Sequence, residues 1–257
     1  MRILINGILG YMGREVKRLC DDGYRGALYG CGVDIGADGT DSTVFSSFDA
    51  IADASDIDCI IDFSHHSAVS DILKFATENS IPTVVATTGH TDEEKLIIAK
   101  AAEKIPVFYS GNMSLGIALL IELAKITALG MPEAEIEIIE SHHNRKLDAP
   151  SGTALMIADA IHEVKPSSYN NVGRGGHGKR TPDEIGIHSI RMGNIVGIHE
   201  VIVGTKNQTI TLKHEAHDRA LFAEGAVAAA AFITGCDSGL YDMSSLVDSS
   251  CASASKN

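Results

Sequence analysis

The sequence predicts an α/β protein with a second, α+β part. In the first 110 residues, short apolar runs rich in Ile and Val alternate with helical patterns, as in a parallel sheet covered by helices on both sides. After Asn112 this alternation stops, and a long apolar helix is followed by strands in which polar and apolar residues alternate. A chain of 257 residues is long enough for two such domains. We therefore expect a Rossmann-type parallel-sheet domain plus an α+β domain with an open mixed sheet.

The elements of the first domain follow one another with short links. Between the strands lie helical patterns at Met12–Cys20, Ala68–Asn79 and Glu93–Glu103. Thr91, followed three residues later by Glu94, predicts a capping box at the start of the third helix. The predicted strands are Arg2–Asn6, Leu28–Asp34, Cys59–Phe63, Thr83–Ala86 and Val107–Ser110.

The second domain is predicted to contain an open mixed sheet whose strands are exposed on one face, and the chain after it is predicted to return to the first domain. Residues 166–180, rich in Gly, Ser and Asn, are expected to form a mobile loop, and residues 244–257 a frayed tail. The Ala-rich helix Arg219–Thr234 is expected to return to the first domain. We place the domains at residues 1–113 with 224–257, and at 114–223. The other predicted elements are helices Leu115–Ala128 and Gly152–Glu163 and strands Glu133–Ser141, Ile187–Arg191, Ile195–Val203 and Gln208–Lys213.

Composition and charge exclude several classes of function. The chain has 34 acidic and 21 basic side chains, a formal charge of −13, so we expect no nucleic-acid partner and no anionic membrane partner. No apolar run reaches the roughly 18 residues that span a bilayer. Its five cysteines are scattered and never spaced as CxxC, which argues against disulfides and zinc and for a reducing cytoplasm.

A glycine-rich turn directly after the first strand is the first candidate site. Gly7, Gly10 and Gly13 open a helix there, the arrangement in which backbone N–H groups bind a pyrophosphate. Leu9 stands where the second glycine of G-x-G-x-x-G usually lies. Asp34, at the end of the second strand, can accept hydrogen bonds from a ribose diol. Because Ile35, not Arg or Lys, follows it, the sequence favours NADH over NADPH.

A cluster of cationic and titratable side chains is the second candidate. His142, His143, Arg145 and Lys146 lie between a strand and a helix, where they can bind an anion and donate a proton. The free N–H groups that begin the following helix suit a carboxylate. On these residues alone, a solvated polar loop with Ser151 as a simple helix cap remains an alternative.

Residues 140–154, ESHHNRKLDAPSGTA, resemble the long signature of the 4-hydroxy-tetrahydrodipicolinate reductase (dihydrodipicolinate reductase) family. The resemblance extends over residues 1–247. It is carried by the glycine turn ending in YMGR and by the segments DFS at 62–64, ATTG at 86–89, GNMSLG at 111–116, IRMGNIVGIH at 190–199 and GLYDM at 239–243.

The resemblance implies reduction of a cyclic imine dicarboxylate by NADH or NADPH, with loss of water, in the diaminopimelate route to lysine. It implies a homotetramer, catalytic roles for His142 and Lys146, and substrate-carboxylate binding by His143, Gly152 and Thr153. The implied cofactor contacts are Gly7, Ile8, Leu9, Gly10, Tyr11, Met12, Asp34, Ala86, Thr87, Thr88, Ser110, Gly111, Asn112 and Met113.

The sequence departs from the family pattern at four of these or adjoining positions. Ala86 replaces a usual Gly and Met113 a usual Phe, whereas Tyr11 and Ile35 stand where Arg is frequent. The absence of arginine at Tyr11 and Ile35 weakens binding of the 2′-phosphate of NADPH, which agrees with the preference for NADH.

Two alternative functions share the first domain. An aspartate- or homoserine-type dehydrogenase would not need the run from His142 to Thr153, and a sensor that binds NAD without turnover would not need a proton donor.

Other histidines lie outside the signature loop. We expect no metal at His65 and His66, because no carboxylate or cysteine partner is suitably spaced; contact with nicotinamide is favoured there. His177 lies in a loop that either closes over substrate or is ordinary. His199, His214 and His217 are expected at a sheet surface or interface.

Overall fold

The computed structural model describes the backbone of residues 1–254 and the side chains of residues 1–250. The described chain forms two compact units. Residues 1–114 and the chain from Ala220 onward form the first unit, and residues 115–219 form the second.

The strands are β1 (Arg2–Asn6), β2 (Leu28–Val33), β3 (Val44–Phe45), β4 (Cys59–Asp62), β5 (Thr83–Val85), β6 (Pro106–Tyr109), β7 (Glu135–His142), β8 (Tyr169–Val172), β9 (Glu184–Arg191), β10 (Gly197–Gly204), β11 (Thr209–Ala216) and β12 (Gly239–Tyr241). The helices are α1 (Tyr11–Asp21), α2 (Val69–Asn79), α3 (Asp92–Ala102), α4 (Leu115–Gly130), α5 (Gly152–Val164), α6 (Ala220–Ile233) and α7 (Met243–Ala254).

The first unit is built on a seven-stranded, all-parallel sheet with the order β12-β6-β5-β4-β1-β2-β3. From β1 the chain first builds outward through β2 and β3, and then returns to the other side of β1 to add β4, β5 and β6. This change of direction places the carboxyl ends of β1 and β4 side by side with their connections diverging. Ligands bind at such a point in open α/β sheets.

The second unit is built on a five-stranded mixed sheet with the order β11-β10-β7-β9-β8. Strands β7, β8 and β9 are parallel, whereas β10 is antiparallel to both of its neighbours. Helices α4 and α5 contribute to the apolar core on one face, where Ile136, Ile138 and Val201 are fully or almost fully buried. The opposite face presents Ile139 and Ile190 among charged side chains. The second sheet therefore has one buried face and one open face.

The predicted fold class is confirmed, but the structure differs from two local expectations, in part of one segment and in most of another. The loop at 166–180 contains the edge strand β8, and the tail from Ser244 forms helix α7, whose Leu246 and Val247 are buried. Pairing at the edge of a sheet and packing of a few apolar residues stabilise a strand and a helix in segments whose composition alone suggests a loop. The short strands β3 and β12 were not predicted. The predicted fraying at 255–257 lies outside the described residues.

The capping box predicted at the start of α3 is confirmed, since Thr91 Oγ1 accepts a hydrogen bond from Glu94 N and Glu94 Oε2 accepts one from Thr91 N. Among the described helices, none is both long and apolar enough to cross a bilayer.

Candidate active site

The turn between β1 and α1 requires glycine at two positions. Gly7 has φ +80°, and a Cβ there would collide with the carbonyl of Phe63. A Cβ at Gly13 would collide with the carbonyl of Gly7. These contacts allow the turn to lie close to β4 and α1 to lie close to the turn.

The first turn of α1 is open to an anion. Gly10 precedes the helix without a side chain that could cap it, and no acidic residue lies in the first helical turn. The backbone N–H groups of Tyr11 and Met12 therefore lie at a positive helix end without a competing carboxylate on the helix. This arrangement fits the pyrophosphate of a dinucleotide.

A cavity of about 670 Å³ lies beside this turn, at the carboxyl ends of the strands. Gly7, Gly10 and Asp34 line it, and the Asp34 carboxylate accepts hydrogen bonds from Leu9 N at 3.0 Å and Gly36 N at 2.9 Å. Each oxygen of Asp34 retains a lone pair for another donor. The remaining titratable lining residues are Asp49, His65, Asp71, Lys74 and Glu78.

A second cavity, of about 340 Å³, lies next to the start of α1. Five of the predicted cofactor contacts line this second cavity, together with two histidines from the turn that follows β4. Thr87 is fixed there, since its Oγ1 accepts a hydrogen bond from Ser64 N at 2.9 Å. The lining residues are Tyr11, Met12, Phe63, Ser64, His65, His66, Ala86, Thr87 and Thr88. The two cavities together offer the volume and the polar groups that a dinucleotide needs.

The remaining predicted cofactor residues do not line these two cavities. Ser110 and Asn112 hold each other in a local turn, with Ser110 Oγ donating to Asn112 O at 2.8 Å. Met113 is buried and its carbonyl lies where a Cβ on Gly225 would have to fit. Ile8 is buried too, and Leu9 contributes its backbone N–H to Asp34.

In the second unit, His142 ends β7 and lies beside Glu140 of the same strand. Residues two apart on a strand share a face, and His142 Nδ1 lies 2.6 Å from Glu140 Oε2. The Glu140 side chain is fully buried. Arg191, at the end of β9, donates to both of its oxygens at 2.8 and 2.7 Å. A buried carboxylate is thus shared by a histidine and an arginine.

The pKa of Glu140 reflects this environment. Burial acts to raise the pKa of the carboxyl, but hydrogen bonds from Arg191, Ser189, His142 and the N–H of Ser151 outweigh it and lower the pKa to about 2. Glu140 is therefore ionised at every pH at which the protein would be assayed.

The ring of His142 packs against the ring of a second histidine, His199. The rings of His142 and His199 are 5.2 Å apart and nearly perpendicular. Burial lowers the pKa of His142, which the hydrogen bond to Glu140 partly offsets, and burial lowers the pKa of His199 to about 4. His199 is neutral and buried, so it does not lie at an open sheet surface, which was one of the two positions expected for it. Its Nε2 lies 3.2 Å from Ser151 Oγ.

The loop after His142 presents the other predicted substrate residues. Lys146 Nζ lies 2.9 Å from an oxygen of Asp148, with a quarter of the lysine side chain exposed. His143 Nδ1 is buried without a protein hydrogen-bond partner, which suits contact with a ligand. Helix α5 begins at Gly152, next to Thr153, and Ser151 caps it through Ala154 N. The five residues predicted for catalysis and substrate binding all lie between the last residue of β7 and the first turn of α5.

Sequence reasoning missed the contributions of Glu140, Arg191 and His199. Glu140 could have been found, because its spacing of two from His142 puts both side chains on one face of a strand. Arg191 and His199 come from other strands, and only the sheet register reveals them: His142 pairs with Arg191, and Glu140 pairs with His199.

Histidines 65 and 66 lie in the first unit beside the second cavity. His66 Nδ1 hydrogen-bonds to Glu94, and His65 begins a short turn by accepting from Ser67 N. Within residues 1–250, no group of three or more His, Cys, Asp or Glu side chains is arranged to hold a metal ion.

Comparison with known proteins identifies the family of this chain. The profile described as dihydrodipicolinate reductase, N-terminus, matches residues 1–113, and that described as dihydrodipicolinate reductase, C-terminus, matches residues 116–247. The chain belongs to the dihydrodipicolinate reductase family. It is therefore an oxidoreductase that binds a nicotinamide dinucleotide.

Relatives in this family match over nearly the whole chain. The 4-hydroxy-tetrahydrodipicolinate reductase of Caldanaerobacter subterraneus is 44% identical over 96% of this chain and 98% of its own length. That of Clostridium tetani is 40% identical over 97% of this chain and 98% of its own. Among solved structures, dipicolinate-bound dihydrodipicolinate reductase from Paenisporosarcina sp. TG-14 has a TM-score of 0.79 at 26% identity, covering 94% of this chain and 97% of that one.

Proposed function

We propose that this chain reduces 4-hydroxy-tetrahydrodipicolinate to tetrahydrodipicolinate, with loss of water, and that it uses NADH in preference to NADPH. In balance, the substrate, one NADH and one proton give the product, NAD⁺ and water. The observation that carries the proposal is the loop from His142 to Thr153, where a buried, carboxylate-bound histidine lies beside a lysine and a helix N-terminus.

The substrate is a ring with two carboxylates, and the loop offers suitable groups for both. Lys146 supplies a fixed positive charge. Its ion pair with Asp148 is replaced by an ion pair with a substrate carboxylate when the substrate binds. His143 and the backbone at Gly152 and Thr153 supply donors and a positive helix end for the other. The Paenisporosarcina reductase, solved with dipicolinate bound, supports a cyclic dicarboxylate as the ligand.

The reaction needs a proton at the substrate, and His142 is the group that we assign to deliver it. Its Nδ1 is engaged by Glu140, so Nε2 is the nitrogen available to a ligand. An imidazolium there neutralises negative charge that develops on the ring as it is reduced. Lys146 holds the substrate in position during this step.

The glycine turn and the two cavities fit a dinucleotide, which supplies hydride from its nicotinamide when bound. Gly7 and Gly10 with the first turn of α1 would hold the pyrophosphate, and Asp34 would accept hydrogen bonds from the adenosine ribose. The preference for NADH rests on charge around that ribose. Ile35 is almost fully exposed beside Asp34, and the lining contains Asp49, Asp71 and Glu78 against a single lysine. A 2′-phosphate would meet repulsion there.

Two further properties belong to this proposal. We propose a homotetramer, because the open face of the second sheet carries isoleucines that a partner would cover. We also propose that the protein acts in the cytoplasm. Cys20, Cys31, Cys59 and Cys236 are free thiols, as expected in a reducing compartment.

The test is a coupled assay with purified dihydrodipicolinate synthase, pyruvate and aspartate semialdehyde, which generate the unstable substrate in place. Loss of nicotinamide absorbance is followed with NADH and NADPH in parallel. We expect oxidation that requires both this protein and the synthase, and a higher kcat/KM with NADH. No oxidation by folded protein that still binds NADH would rule out the substrate, and faster turnover with NADPH would rule out the cofactor preference.

A further inference from the structure

The carboxylate of Glu140 has all its acceptor positions filled by three different elements. Oε1 accepts from Arg191 Nη2 at 2.7 Å and from Ser151 N at 3.0 Å. Oε2 lies 2.8 Å from Arg191 Nη1 and 2.6 Å from His142 Nδ1. Arg191 is itself fixed, since its Nη2 also donates to the carbonyl of Asp148 at 2.6 Å. The group is buried, fully paired and rigidly held.

This pairing determines which nitrogen of His142 carries the proton in the neutral ring. An ionised carboxylate can only accept hydrogen bonds, so Nδ1 must donate to it. Nε2 then lies on the far side of the ring, next to Gly197, where a Cβ would come within 3.2 Å of it. The absence of a side chain at Gly197 leaves room for a ligand to approach Nε2.

The same carboxylate also holds the start of α5. Its bond from Ser151 N connects β7 to the residue whose Oγ caps the helix through Ala154 N. His142 and the helix end that we assign to substrate carboxylate binding thus share one anchor.

We propose that Glu140 is the positioning residue of this site: clamped by Arg191, its carboxylate fixes His142 with the proton on Nδ1 and holds the first turn of α5 beside it. This inference rests on the proposed function, in which His142 delivers a proton from Nε2. It adds a residue that acts only through His142 and Ser151.

The consequence for pH follows from the groups that surround His142. Lys146 and His143 lie on the loop, Arg191 on β9 and His199 on β10, and Glu140 is the carboxylate hydrogen-bonded to the ring. Without its negative charge, the remaining cations lower the pKa of His142 further. The acid form of His142 would then be lost at a lower pH, so the alkaline limb of the pH–rate profile would move to lower pH.

The decisive measurement does not depend on activity. In ¹⁵N-labelled protein, ring nitrogen shifts report the tautomer and the titration midpoint of His142, assigned by its loss in His142→Gln. We expect the Nδ1–H tautomer in the wild type, and a midpoint lowered by about one unit in Glu140→Gln. Glu137→Gln is the matched control. It removes a carboxylate of the same strand that also bonds an arginine and a histidine, Arg180 and His188, and should leave the His142 signals unchanged.

Kinetics on the same proteins completes the test. We expect Glu140→Gln to lower kcat by about tenfold or more and to move the alkaline limb down with the titration midpoint. Glu137→Gln should keep the wild-type limb. An Nε2–H tautomer in the wild type would overturn the positioning role even if Glu140→Gln failed to fold, and so would a midpoint unchanged by that substitution. A shifted midpoint with an unchanged pH–rate profile would support the positioning role and instead remove His142 as the proton donor.

Discussion

Lys146 and Arg145 are neighbouring cations with different surroundings, which lead to different expectations. Lys146 Nζ pairs with Asp148 inside the signature loop, whereas Arg145 donates to Asn194 Oδ1 at an exposed position. Lys146→Ala should lower kcat/KM by about a hundredfold or more and raise KM, because the variant loses the cation that binds a substrate carboxylate and that holds the substrate in position. Arg145→Ala should change kcat/KM by less than about threefold. Initial rates in the coupled assay measure both.

The comparison of the two variants also has a clear contrary outcome. If both lose similar activity, the loop acts through its summed charge and not through a specific contact of Lys146. A thermal melt of each protein separates this result from loss of folded enzyme.

Single residues also show how far the sequence predicts the site. Its long signature located His142, His143 and Lys146 on one loop, because those residues are close in the chain. Arg191 lies 49 residues from His142, and its partnership with Glu140 depends on the parallel pairing of β7 and β9. A single sequence contains no local signal for that register. Burial of His199 was missed for the same reason.

At the level of elements, the β1–α1 turn is the part most constrained by backbone geometry. Gly7→Ala would need φ +80° and would press its Cβ into the carbonyl of Phe63. We expect it to weaken NADH binding by at least about tenfold and to lower the melting temperature, since both the strained φ and the clash act on the turn. NADH fluorescence titration and differential scanning calorimetry measure these effects.

A glycine elsewhere in the same unit serves as the control. Gly235 has no positive φ, and the nearest atom to a Cβ there is at 3.9 Å. Gly235→Ala should retain both NADH affinity and melting temperature. Wild-type NADH affinity in Gly7→Ala would show that the turn tolerates displacement and is not a close pyrophosphate contact.

The helices and strands were predicted well where the sequence carries a local signal, either an apolar run or a helix-capping motif. The strands β1, β4 and β5 and the capped helix α3 all follow from apolar runs or from a capping box, which are local signals. The strands β3, β8 and β12 are two to four residues long and depend on pairing with a neighbour already in the sheet. Such edge strands take their conformation from the tertiary structure, and composition alone predicts a loop.

At the scale of the whole molecule, the open face of the second sheet bears on assembly. Strand pairing places Ile139 opposite Glu200, Ile202 opposite Glu137 and Ile190 opposite Ser141, all on the face away from α4 and α5. A sheet face with several isoleucines but also charged residues resembles a protein–protein interface more than a solvated surface. The same face carries Ile198, whose neighbour on β11 is Glu215.

We therefore expect this face to bury itself against other copies of the chain. Sedimentation equilibrium should give a mass of four times the 27.2 kDa chain. Ile139→Glu places a charge at the centre of the face, next to Glu200, where its desolvation and like-charge repulsion oppose association. That variant should sediment as a smaller species with its far-UV circular dichroism retained. Leu96→Glu, an exposed leucine on α3 of the other unit, should keep the wild-type mass. A monomeric wild type, or a tetramer unaffected by Ile139→Glu, would show that this face is not the contact between copies.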